Sequence, residues 1–60
     1  MTAREKIEMR IRTYQNEKNA IKNNMRGMTD IETIRAFEEG IYEREVIITQ
    51  LEWVLTIIEK

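Results

Sequence analysis

The chain has no cysteine, no histidine and no proline among its sixty residues, and only two glycines. Without cysteine there is no disulfide to hold it. With neither thiol nor imidazole, a zinc or haem site lacks its ordinary ligands, so no cofactor and no metal are expected. The same absences remove most activating arrangements for a nucleophile, leaving only Thr and Lys as candidates. Glu38, Glu39, Glu43 and Glu45 crowd one segment, but Arg35 and Arg44 stand among them, and the cluster reads as solvated helix surface rather than a cation site. Gly27 alone makes no phosphate loop. The expectation is a protein without catalytic function.

Long apolar runs are missing too. The greasiest stretch, VIITQLEWVLTII at 46–58, is shorter than the roughly 20 residues a bilayer span requires, and Gln50 and Glu52 interrupt it. Its polar neighbours are acidic, whereas helices lying in a membrane surface carry Lys and Arg there. The start, MTAREKIEMR, has no apolar run behind its charges and does not read as a secretory signal. The expected location is cytoplasmic, with no membrane partner, in keeping with the lack of cysteine.

What is present is helical grammar, written twice. In the first half, Ile7, Tyr14, Ile21 and Met28 fall on one heptad position and Arg4, Ile11, Lys18 and Met25 on the other, a seam of 3.5-residue period. Thr2 followed by Glu5 forms a capping-box pattern, Gly27 suits the left-handed residue past a helix end, and Arg26 in the last turn complements the helix dipole. Thr29 and Glu32 then form a second capping-box pattern, and the heptad resumes with Ile34, Ile41, Ile48 and Leu55 beside Phe37, Arg44, Leu51 and Ile58. The reading is an all-α protein of one domain over 1–60: helix 1 at about 3–26, a turn at 27–29, helix 2 at about 30–59, folded as an antiparallel hairpin. The competing reading, one long helix through Gly27, wastes the second cap and places a glycine in a helix interior at a cost of about 1 kcal/mol.

Pairing the helices about that turn predicts Met25 against Ile31, Ile21 against Ile34, Ile7 against Ile48, and Tyr14 near Ile41 and Gly40. Gly40 is either a tolerated glycine or one that makes room for the Tyr14 ring or for a second chain. Lys18, expected near Phe37 and Glu38, and Arg44, expected opposite Ile11, either extend their charges to water or fix register. Charge supports the pairing: residues 1–28 hold seven Lys/Arg against three Glu, and residues 29–60 hold three against eight Asp/Glu. Complementary fields orient packed elements.

Helix 2 carries more grease than one partner covers. At 1.5 Å per residue it is expected to outrun helix 1 by about six residues, which include Leu55, Ile57 and Ile58. Beside the seam, Tyr42, Val46, Ile47, Trp53, Val54 and Ile57 widen the apolar arc to roughly 200°, against the usual stripe of about 100°. Glu38, Glu45, Thr49, Glu52, Thr56 and Glu59 form the solvated strip. A chain of this size is marginal as a monomer, and burying these side chains is worth about 1.5–3 kcal/mol each. The expected interface residues are Tyr42, Val46, Ile47, Trp53, Val54, Ile57 and Ile58. The expected partners are a second copy, as a dimeric four-helix bundle, and an unidentified protein. The expected function is a small interaction or regulatory module.

A second reading involves nucleic acid. Arg12, Asn16, Asn19, Asn23 and Arg26 form a row opposite the helix 1 seam, with Lys22 at its edge, and such side chains contact phosphates and base edges. In length, hairpin layout and heptads over most of the chain, the sequence resembles the short helical-hairpin dimers of the repressor-of-primer type. That resemblance implies a dimeric four-helix bundle and an RNA-binding surface on the helix 1 faces.

Overall fold

The computed structural model describes residues 1–58, and Glu59, expected at the end of the polar strip, lies outside them. Two helices pack against each other as an antiparallel hairpin: α1, Ala3–Met25, and α2, Ile31–Ile58. The molecule is a rod measuring 46 × 17 × 10 Å between Cα atoms.

Each helix begins where its first free amides find an acceptor. At α1 the Glu5 amide donates to Thr2 Oγ1 at 3.1 Å and the Thr2 amide donates to Glu5 Oε1 at 3.3 Å, which closes the capping box. The helix stops at Gly27, whose φ of +81° lies in the left-handed region that L side chains avoid. Two orphan carbonyls are then satisfied: the Arg26 amide donates to Asn23 O and the Met28 amide to Met25 O. Arg26, expected inside the last turn, sits just past it in extended conformation (φ −63°, ψ 126°).

The connection is longer than the expected 27–29; it covers 26–30. Thr29 is not the cap of α2. Asp30 takes that place: its carbonyl accepts the first helical amide, from Ile34 at 3.0 Å, and its carboxylate accepts the Thr33 hydroxyl. That hydrogen bond, followed in effect by those from the Thr33 and Glu32 amides, holds the Asp30 carboxyl below its ordinary range.

The cross-helix neighbours lie further along α2 than the sequence predicts. Gly40 stands against Ile21, whose Cδ1 lies 3.5 Å from where a Gly40 Cβ would be, and not against Tyr14. Arg44 reaches Glu17 instead of facing Ile11: its Nη2 donates to Glu17 Oε1 at 3.3 Å while Nη1 donates to the Gly40 carbonyl at 3.0 Å. Lys18 Nζ lies 3.9 Å from Glu45 Oε1 and not beside Glu38. Adjacent Glu17 and Lys18 thus face adjacent Arg44 and Glu45 as two oppositely signed pairs. Ile31, expected against Met25, is exposed.

The core is thin. Among the described residues Ile48, still 7% exposed, is the one buried side chain. Ile7, Ile11, Tyr14, Ile21, Met25, Ile34, Phe37, Ile41, Leu51 and Leu55 are half-buried. Leu55, expected beyond the reach of α1, is partly covered, so the surplus of α2 is shorter than its length implies.

Candidate interaction surface

Helical geometry assigns each side chain of α2 to a side. With Ile48 directed into the hairpin, Tyr42, Val46, Trp53 and Ile57 fall about half a turn away, on the side turned from α1. Tyr42 is 67% exposed, Trp53 65%, Ile57 49% and Val46 36%. Large apolar side chains left this open are informative when they form one patch, and these four share a single face. Ile58 is also exposed at the helix end.

Ile47 and Val54, which the sequence groups with this patch, are half-buried. They sit on the flank where α2 turns toward α1, so α1 already shields part of each. Ile31, which the sequence does not group with it, is exposed on the same outward side. A signal for it exists in the spacing. Ile31, Tyr42 and Trp53 are eleven residues apart, and so are Arg35, Val46 and Ile57. An eleven-residue repeat gives 3.67 residues per turn, close to the helix's own 3.6, so the stripe runs nearly straight along α2. The seam facing α1 follows sevens instead. Two faces of one helix therefore carry two different apolar periods.

The outward side of α1 is the opposite in chemistry. Arg12, Asn16, Asn19 and Asn23 are exposed and fall by helical spacing on the side away from α2. Lys22, also exposed, lies at the edge of that row beside the seam, and Arg26 is exposed in the connection. No large apolar side chain interrupts that row. Met9, exposed one turn before Arg12 on the same side of α1, lines a shallow depression with Met1, Lys6, Arg10, Thr13, Tyr14 and Glu17.

The chain matches no protein-family model, no curated protein and no solved structure. Its function is therefore argued from its own surface. Among the described residues no three carboxylates converge as a metal site, and no helix is long and apolar enough to cross a membrane. What the geometry offers is a rod with a polar edge along α1 and, on the outward side of α2, an apolar stretch from Tyr42 to Ile57 preceded by Arg35, Glu39 and Glu43.

Proposed function

We propose that this chain is a small, non-catalytic interaction module that self-associates through α2 and presents the assembled surface to a protein partner. One observation carries the reading: the exposed stripe of Tyr42, Val46, Trp53 and Ile57 on the side of α2 that α1 does not reach. A patch of this kind marks an association surface, and Trp and Tyr are the residues most enriched where binding energy concentrates.

Trp53 is the chain's single tryptophan and gives the test. In the proposed assembly Trp53→Asp places a charge in a desolvated seam, and the dimer dissociates at least about thirtyfold more readily, the scale of a hot-spot loss of about 2 kcal/mol. Light scattering across a dilution series measures this, with circular dichroism to follow helix content. A wild-type chain that is monomeric and fully helical at micromolar concentration overturns the reading.

The polar edge of α1 supports a second reading, a nucleic-acid-binding regulator acting through Arg12, Asn16, Asn19, Lys22, Asn23 and Arg26. The specific observation is that all six are exposed. Anisotropy of labelled RNA and DNA hairpins titrated at two salt concentrations tests it. Binding that weakens with salt and disappears in Arg12→Glu with Arg26→Glu supports it; no binding at low salt removes it.

A further inference from the structure

The outward stripe has an internal symmetry. Tyr42 and Val46 on one side of Thr49–Gln50 are matched by Trp53 and Ile57 on the other, at the same spacings. On the flank, Ile47 and Val54 are matched about a point one residue further on, between Gln50 and Leu51, so the two centres straddle Gln50. A two-fold interface requires this self-complementarity, because each residue i that meets j must also present j to i.

We propose that the outward face of α2 is covered by a second copy of this chain running antiparallel, with Gln50 of each copy at the two-fold axis. The inference rests on the self-association reading above and adds the occupant's direction and register. Val46 then packs on Trp53 of the second copy, Tyr42 on its Ile57, and Ile47 on its Val54. The uncharged Gln50 meets its own counterpart at the centre, where a side-chain amide both donates and accepts across the axis.

Charge disfavours the two obvious alternatives. A parallel pair aligns the helix dipoles and lays the acidic face around Glu39 and Glu43 along its own copy. An antiparallel pair slid by one eleven-residue repeat brings Ile31 opposite Ile57, but it moves the axis next to Glu43 and sets that carboxylate against itself. Of the three, the register centred on Gln50 is the one that leaves the axis uncharged.

The chain exposes 4927 Å², more than the ~4200 Å² of a compact monomer of its 7.3 kDa, as an elongated two-helix rod must. Because the stripe lies opposite the intrachain seam, the four helices stand in the order α1, α2, α2, α1. The polar rows of the two α1 helices form the outer edges.

Cross-linking reads the register directly, since the chain has no cysteine of its own. Gln50→Cys and Val46→Cys are treated with a short bis-maleimide after circular dichroism has verified their helix content. In the proposed register the two thiols at position 50 adjoin, while the two at position 46 are offset by ~12 Å along the axis at 1.5 Å per residue. Gln50→Cys is then linked about tenfold faster, as its higher effective concentration requires. Val46→Cys linked as fast as Gln50→Cys, or faster, overturns the register, since Val46 lies close to its counterpart in both alternatives. A dimer by light scattering with neither variant linked overturns this inference and leaves self-association standing. A monomer by light scattering overturns both.

Discussion

At the scale of single residues, two positions carry more of the fold than their neighbours. Gly27 has a φ of +81° with nothing within 4 Å of an added Cβ, so a side chain there meets no clash but must adopt a left-handed backbone. Gly27→Ala is expected to destabilise the hairpin by about 1–2 kcal/mol, the cost of that conformation for an L residue, and urea denaturation measures it. Arg44 is the other. Its Nη atoms are satisfied by Glu17 and the Gly40 carbonyl, but its Nε is buried with no hydrogen-bond partner among the described residues. A buried donor left unpaired costs about 1–3 kcal/mol, while the Arg44–Glu17 pair, with side chains 28% and 42% exposed, is a largely solvated one that offsets little of it. Arg44→Met is therefore expected to leave the midpoint of urea denaturation unchanged or raise it. Removing Glu17 alone, by Glu17→Ala, is expected to lower it, because the guanidinium then loses its charged partner. A clear loss of stability in Arg44→Met would mean the cross-helix charge outweighs the unpaired Nε.

At the scale of elements, the caps decide where α1 and α2 begin, and one of them titrates. Asp30 has its carboxyl held below the usual range by the Thr33 hydroxyl and by the Thr33 and Glu32 amides. A carboxyl depressed in the folded state contributes stability that is complete above its unfolded pKa of about 3.9 and is lost as the pH falls through the lower folded value. Helix stability is thus expected to decline once the pH drops below about 4, and Asp30→Asn, which still caps but cannot ionise, is expected to flatten part of that decline. Thermal melts from pH 6 to pH 2 compare the two. That α2 starts here at all is legible in the sequence: a helix stop at Gly27, a new run of cap residues and a resumed heptad are in plain view. Which residue caps it is not. Thr29 with Glu32 and Asp30 with Thr33 are both acceptable pairs one step apart, and local sequence does not choose between them. That one step, with α1 ending a residue early, lengthens the connection by two residues. The cross-helix partners lie six or seven residues further along α2 than expected, with Gly40 facing Ile21 and Lys18 finding Glu45, and local sequence carries no signal for that offset. The apolar breadth of α2 is legible as well, through Tyr42, Val46, Trp53 and Ile57. Its edges are blurred, because Ile47 and Val54 are partly claimed by α1 and Ile31 escapes a search made in sevens.

At the scale of the whole molecule, stability and association are one question. A two-helix rod buries a single residue among those described, Ile48, and most of its heptad positions are only half-covered. Ordering a backbone costs about 1–2 kcal/mol per residue, and one half-covered seam is a thin return against it. Covering the α2 stripe with a second copy adds burial without ordering any new backbone, so folding and pairing reinforce each other. Linkage then makes the thermal midpoint depend on protein concentration. A tenfold change alters the free energy of a dimer by about 1.4 kcal/mol. Spread over the unfolding entropy of two sixty-residue chains, at about 2.1 cal/mol/K per residue, that moves the midpoint by about 5 °C. Circular dichroism melts over a hundredfold range of concentration are expected to rise by about twice that amount, and Trp53→Asp is expected to melt lower at every concentration. A wild-type midpoint that stays constant over the whole range would mean that the hairpin is stable alone, with the α2 stripe serving some purpose other than its assembly.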